Sequence, residues 1–537
     1  EAEPNAPYER RILYLSPEFL RRAGGSCDLA ACFDRAREEF RFVVHPADGT
    51  GGAQLAALEA AEREEAFGRE LLAQSLLFQF LIGLNRAMAG NTLQYAKPAA
   101  YDRKIESILR YCQGVRNFQQ FQSDSMLVEA TVFNLMQIGE LAKVSLSDEA
   151  KAQLTAEVQF LEAFAYHNLW KYMGGVPILD HPLQLNEPLP ARSSAEETYE
   201  YVVKLLDKAA PNLPEIRTAA DHGKASAGAC YALKARMAFY NHKYDVAEAA
   251  AEQVMQSGKF GLYPNYGDLF QPVAETCNEI LFDREYVENP KNGSEGSVIG
   301  LFFSPCDFGG WEALSPTQDM VDAYPCTDGK SIAESPLYNP AKPFENRDPR
   351  LAYSIFWPGT TCGPMTFNNK YMGDGSHTRT GYCMRKYINP DNYGIQNYDW
   401  TNFIYIRYAE VLLTYAEARN ENLSAPDAKV YDAVNQIRKR VNLPGLEEGL
   451  SKDQMRDAIR LERRLELAFE GIHLFDTRSY RTTEKDVTKP VYGIDPDGKK
   501  ILIETRKFNP NRDYLWAIPL KEIDLSQGVL KQNPGWD

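Results

Sequence analysis

Apolar residues recur at helical spacing along most of the chain. In "SDEAKAQLTAEVQFLEAFAYHNLWKYMGG", Val158, Leu161, Ala165 and Leu169 fall every three or four residues, the signature of one buried helix face. Ser147 followed by acidic residues marks the start of this helix, and Gly174–Gly175 marks its end. "SAEETYEYVVKLLDKAAPNLP" opens with Ser194 and has Glu197 three residues later, a capping box, and should stop at Pro211. An earlier Ala-, Leu- and Glu-rich run, "GAQLAALEAAEREEAFGRELLAQSLLFQFLIGLNRAMAG", predicts a long helix ending at Gly90.

Two stretches predict helix hairpins. "SAGACYALKARMAFYNHKYDVAEAAAEQVMQSGKFGLYP" reads as helix, turn at "NHKY", helix, with Ala229, Ala232 and Ala235 allowing close approach. "IRYAEVLLTYAEARNEN" with "APDAKVYDAVNQIRKRVNLPG" repeats the design. Alanine-seamed hairpins of this kind point to degenerate tetratricopeptide-like repeats. They are interrupted from about Glu285 to Trp400 by a stretch rich in Gly, Pro, Asn and aromatic residues. Its aromatic content predicts short strands and long ordered loops, where ligand sites commonly sit. The expected organisation is a divergent N-terminal helical region (1–110), first tetratricopeptide-like helices (111–284), a loop-rich ligand-binding insertion (285–400) and closing helices with a C-terminal segment (401–537). The fold class is mainly α, a tetratricopeptide-like helix bundle with a loop-rich, partly β insertion.

Composition narrows the function. With 44% hydrophobic and 25% charged residues, the chain of 537 residues is of ordinary globular type. A net charge of −15 argues against nucleic acid as a partner. Nine cysteines lack zinc-ligand spacing, and their odd number opposes a fully paired disulfide framework; Cys27 and Cys32 could pair locally, but free thiols are the favoured reading. "LLAQSLLFQFLIGLN" is too short to span a membrane. The chain shows no signal peptide and begins without Met, as a processed or trimmed form would.

"IRLERRLELAFEGIHLFDTRSY" is the most enzyme-like segment. Glu462, Glu466 and Glu470 recur every four residues, and His473 follows Glu470 by three. Di-iron bundles need two Glu-x-x-His copies, and only this one occurs. Read as a continuous helix, the segment has Leu461, Leu465, Ala468 and Ile472 as its apolar stripe. The glutamates lie on another face beside Arg463 and Arg464, a structural ion-pair network. Asp495 and Asp497 in "GIDPDGKK" lack the remaining ligands of a calcium loop and fit a Pro-Asp-Gly turn. No nucleophile elbow or phosphate loop occurs. Neither a metal site nor a cofactor is indicated.

Several segments together resemble the SusD/RagB family of outer-membrane nutrient-binding lipoproteins. They include "AEVQFLEAFAYHNLWKYMGGVPIL", "GLYPNYGDLF" with "NEILFDREY", "LSPTQDMVDAYPCTDGK", "NRDPRLAYSIFWPG", "IRYAEVLLTYAEARNE", the Glu462–Glu470 stretch and "LWAIPLKEIDLSQGVLKQNPGW". They lie in the family's order over Ala156–Trp536, while the first hundred or so residues match poorly. The resemblance implies tetratricopeptide helices supporting a loop-rich binding part. It also implies capture of an oligosaccharide or polysaccharide outside the cell and delivery to a SusC-like TonB-dependent transporter. The implied location is the extracellular face of the outer membrane, through a lipid anchor not carried by this chain.

Sugar rings pack their C–H faces on Trp and Tyr, and amides and carboxylates bind their hydroxyls. "CDFGGW" offers Phe308 and Trp311 beside glycines, and "NYGIQNYDW" offers Tyr393, Asn397, Tyr398 and Trp400. The alternative for each ring is burial under its own loop. In relatives the loop before "LSPTQ" contributes to the ligand site, which favours Trp311. Trp170, on a packed helix, is expected in the core. Tyr95 and Tyr101 are the next place for a site. Two other functions compete: a tetratricopeptide scaffold binding peptides or proteins, and a glycoside hydrolase.

Overall fold

A computed structural model describes residues 147–536 except 180, 182, 184–186, 288–295, 369–377 and 395–398, with short stretches before residue 147. The chain divides into two compact units, Glu1–Ser123 and Asp124–Asp537. In the first, β1 (Val44–Pro46) pairs antiparallel with β2 (Leu93–Tyr95). The helix expected over 52–90 falls largely outside the described residues, as do Cys27, Cys32, Tyr101 and the side chain of Tyr95.

The second unit is built on helices. Helix α1 (Asp148–Met173) starts at Ser147, whose hydroxyl accepts from the Ala150 amide, and stops at Gly174 with φ 77°. Helix α2 (Ala195–Ala209) carries the complete Ser194–Glu197 capping box, and Pro211 lies in the short 3₁₀ turn that follows. Helices α3 (Ala227–Tyr240) and α4 (Tyr244–Gln256) form the first hairpin. Ala229, Ala232 and Ala235 are all buried. Without bulky side chains, the α3 backbone can lie deep among its neighbours, so the helix is buried nearly all round.

Strand β3 (Ile280–Arg284) leads into the insertion. There three short helices, α5 (Ile299–Phe303), α6 (Gln318–Ala323) and α7 (Pro349–Ser354), are followed by the short strands β4 (Ile355–Phe356), β5 (Thr361–Cys362), β6 (Met365–Thr366) and β7 (Cys383–Met384). β5 pairs with β6 as a hairpin, and β4 pairs antiparallel with β7. Strand β8 (Phe403–Arg407) returns antiparallel to β3, with Ile280 opposite Arg407 and Arg284 opposite Phe403. The insertion therefore leaves and re-enters the helical body side by side. Helices α8 (Tyr408–Asn422) and α9 (Ala428–Arg440) form the second hairpin, and α8 packs on α4 of the first. The fold is mainly α.

The Glu462–Tyr480 stretch departs from the expected continuous helix. Helix α10 (Lys452–Glu466) ends before a turn in which Phe469 and Gly471 take positive φ, and α11 (His473–Ser479) follows. The apolar stripe is also revised: Leu461 is exposed, whereas Glu462, Glu466 and Glu470 are buried. Charge goes inward here because it meets charge. Arg350 Nη1 lies 2.6 Å from Glu462 and 3.0 Å from Glu466. Arg407 lies 2.6 Å from Glu466 and 2.7 Å from Glu470. Lys386 pairs with Glu470 at 2.7 Å, Arg438 with Glu462 at 3.1 Å, and Arg440 with Glu466. Glu279 joins Arg407 and Arg440, and Asp348 joins Arg350. Arg463 and Arg464, the sequence neighbours, pair elsewhere, with Asp476 and Asp319. Burial alone would raise the Glu466 pKa, but Arg440, Arg407 and Arg350 outweigh it and hold the carboxyl well below the usual range.

The remaining part is the hairpin of β9 (Val491–Ile494) and β10 (Lys500–Glu504), flanked by α12 (Thr483–Val487) and α13 (Leu520–Leu525). In its turn the Asp495 carboxylate accepts from the amides of Asp497 and Lys499, at 3.0 and 2.9 Å. This is the turn chemistry expected of Pro-Asp-Gly.

Candidate functional site

The segment from Ile299 to Ala313 doubles back on itself. After α5 the chain makes a 3₁₀ turn over Cys306–Phe308 and reverses at Gly309, which has φ 103°. The returning strand hydrogen-bonds to α5: Trp311 N donates to Leu301 O at 2.9 Å, Glu312 N to Ser304 O at 3.1 Å, and Ala313 N to Phe302 O at 2.8 Å. Gly310 is required by close approach, since a Cβ there would lie 2.2 Å from Ser304 Oγ. The two glycines therefore do more than leave the indole uncovered. They permit the reversal that presents it.

Trp311 is 59% exposed, among the most exposed large apolar side chains described. It is not loose: its ring meets Phe302 edge to face, with centroids 4.9 Å apart. The next residue, Glu312, has φ 48° and a buried carboxyl that accepts from Cys306 N at 3.0 Å. Its Oε2 is buried without a hydrogen-bond partner. Burial pushes this carboxyl up to about 7, against the opposing Cys306 hydrogen bond. A left-handed backbone and an under-satisfied buried carboxyl stand directly beside the exposed indole, the kind of locally costly geometry that clusters at functional sites.

Phe308 takes an interior position. At 1% exposure it belongs to a small core with Phe356, Met365, Phe367 and Ile388. Burial denies its ring contact with a ligand, and its place is that of a support. Tyr393, 45% exposed, stands edge to face on Phe308 with centroids 5.3 Å apart. Trp400 is half-buried. Asn397 and Tyr398 lie outside the described residues. Trp170 is partly buried against the main core, with its indole N–H on Ala195 O.

Asp399, between two of the sequence candidates, is a residue that the aromatic reading missed. Fully buried, it accepts from Gly300 N at 2.8 Å, Thr401 N at 3.0 Å, Thr401 Oγ1 at 2.8 Å and the Asn392 side chain. It thus ties the start of α5, the Tyr393 turn and the approach to β8 together. Beside this loop, Asp307 accepts from Asn368 N and Nδ2 at 3.3 and 3.1 Å.

Fold and site together give a helical scaffold that carries an aromatic, loop-rich insertion. Residues 278–536 match the SusD family. It is similar to SusD-like protein P2 of Formosa agariphila, 28% identical over 419 residues, covering 72% of this chain and 75% of that one. A crystal structure of a SusD-like carbohydrate binding protein from Bacteroides fragilis superposes with a TM-score of 0.69 at 25% identity, covering 75% of this chain and 84% of that chain. A second SusD-like protein from the same organism gives 0.67 at 29% identity, covering 78% and 86%. The surface glycan-binding protein A of Bacteroides fluxus, 23% identical with a TM-score of 0.60, shares the fold, over 78% of this chain and 85% of that one.

Proposed function

We propose that this protein is a surface-exposed glycan-binding lipoprotein that captures oligosaccharides and delivers them to a SusC-like TonB-dependent transporter. The observation that carries the reading is Trp311, a largely exposed indole held by a glycine-enforced reversal in the insertion. The carbohydrate binding of the Bacteroides fragilis relative supports it. In this reading, 285–400 is the ligand-binding part, 111–284 and 401–537 its scaffold, and 1–110 a divergent N-terminal region. Trp311 and Tyr393 offer ring faces, Phe308 supports Tyr393, and Asn397, Tyr398 and Trp400 extend the same loop.

The family is outer-membrane associated, and among the described residues no helix is long and apolar enough to cross a membrane. Attachment through a lipid anchor at the extracellular face fits both. Binding is proposed without turnover, since the glutamates of the enzyme-like segment are engaged by arginine and lysine and are not free to act as acid and base. Glycan-array screening followed by isothermal titration tests the reading. A glycan should bind, Trp311→Ala should weaken it, and no reducing sugar should be released. Binding of peptides but no glycan would move the assignment to a peptide-binding scaffold, and sustained sugar release would move it to a hydrolase.

A further inference from the structure

We propose that His222, Asp283 and Glu285 form a binding site for a divalent transition-metal ion of the zinc type. His222 follows the 3₁₀ turn Ala219–Asp221, Asp283 lies near the end of β3, and Glu285 is the residue after the strand. Residues two apart along an extended chain point to the same side, so both carboxylates face the His222 loop. His222 Nδ1 is 3.6 Å from Asp283 Oδ1 and 3.4 Å from Glu285 Oε1. One donor atom from each residue falls within 4.8 Å of the others. Around a tetrahedral zinc ion with bonds of about 2.0–2.1 Å, donors sit about 3.4 Å apart.

The donors are also left without other use. His222 Nδ1 and Asp283 Oδ1 are buried without hydrogen-bond partners, and their separation is too long for a direct bond. Asp283 is 3% exposed, and its other oxygen accepts from Asn402 Nδ2 at 3.3 Å. That contact turns Oδ1 toward the imidazole, the role outer partners play at metal sites. The Glu285 carboxylate lies close over Gly223, where a Cβ would lie 2.8 Å from its Cδ. Glu285's side chain is 47% exposed, which leaves an approach from solvent and room for water as a fourth ligand.

An imidazole with two carboxylates favours a borderline ion such as Zn²⁺ over Ca²⁺ or Mg²⁺, which prefer all-oxygen sites. The ion would clip the 219–224 loop to β3, the strand from which the insertion departs.

The test uses the metal-stripped full chain, titrated calorimetrically with Zn²⁺ and followed by visible absorption with Co²⁺. One equivalent of Zn²⁺ should bind and raise the melting temperature. His222→Ala should weaken that binding at least ten-fold, abolish the thermal shift and remove the Co²⁺ bands. If Asp283→Asn does not fold, the more exposed Glu285→Gln reads the same donor set. Absence of Zn²⁺ binding by the wild type, equal affinity in His222→Ala, or tighter Ca²⁺ than Zn²⁺ binding would each overturn the assignment.

Discussion

The buried ionic network around Glu466 and the Trp311 loop treat buried carboxylates in opposite ways. In the network Glu279, Asp348, Glu462, Glu466 and Glu470 meet Arg350, Lys386, Arg407, Arg438 and Arg440. Each negative charge has positive partners, so the desolvation cost is offset and the groups serve as mortar. Arg350 and Lys386 come from the insertion, Arg407 from its return strand, and the rest largely from the closing helices. The network therefore welds the loop-rich part to its scaffold. Glu312, by contrast, follows an exposed indole in the chain, accepts from the Cys306 amide, and has its Oε2 buried without a hydrogen-bond partner. A ladder of acids that looks catalytic is structural because its charges are answered.

The largest expected effect lies in the network. Glu466→Ala leaves Arg350, Arg407 and Arg440 facing one another and should lower unfolding free energy by about 3–5 kcal/mol, measured by urea denaturation, with glycan affinity retained while the protein is folded. Lost binding at an unchanged melting temperature would reverse the comparison. The network should also be the acid-labile part. Glu466 has a depressed pKa in the folded protein, so its contribution is complete above the unfolded carboxylate value near 4.3 and is lost as pH falls through the lower folded value.

Next comes the loop. Trp311→Ala should weaken glycan binding on the order of ten-fold with little change in melting temperature, the converse of Glu466→Ala. Unaltered affinity would place the site elsewhere, with the region of Tyr95 and Tyr101 the next to probe. Tyr393→Ala should cost less, about three-fold, because much of its ring is committed to Phe308. The smallest effect belongs to Glu312→Gln. A carboxyl raised to about 7 binds more protons in the folded than the unfolded state between about 4.3 and 7, so it makes stability fall as pH rises through that window. The variant should show a smaller drop in melting temperature between pH 5 and pH 8 than the wild type. An unchanged slope would mean that the carboxyl is ionised throughout.

Local signals in the sequence survived into the structure wherever the deciding interaction was itself local. The Ser194–Glu197 capping box, the Gly174 stop and the Asp495 turn depend on partners within five residues, and each has the expected geometry. The alanine seams of the hairpins likewise follow from side-chain size alone. Residue type also singled out Trp311 and Tyr393 as aromatic candidates in a loop-rich segment, yet Phe308 looked equivalent to them. Whether a ring faces in or out depends on Phe356, Phe367 and Ile388 closing over it from a distant part of the chain. Asp399 went unnoticed because its partner Gly300 lies 99 positions away along the chain.

What the sequence by itself determined was the class of fold, the helix boundaries set by caps and glycines, and the place of the loop-rich insertion between paired helices. These rest on short-range stereochemistry and on the periodicity of apolar residues. Only the tertiary structure decided that the Glu462–Glu470 face turns inward rather than toward solvent. A charged face is buried only when enough opposite charge converges on it, and Arg350 and Arg407 come from positions more than fifty residues away. The same holds for His222 and Asp283, sixty-one positions apart, whose donor atoms become neighbours only when a loop is laid against β3.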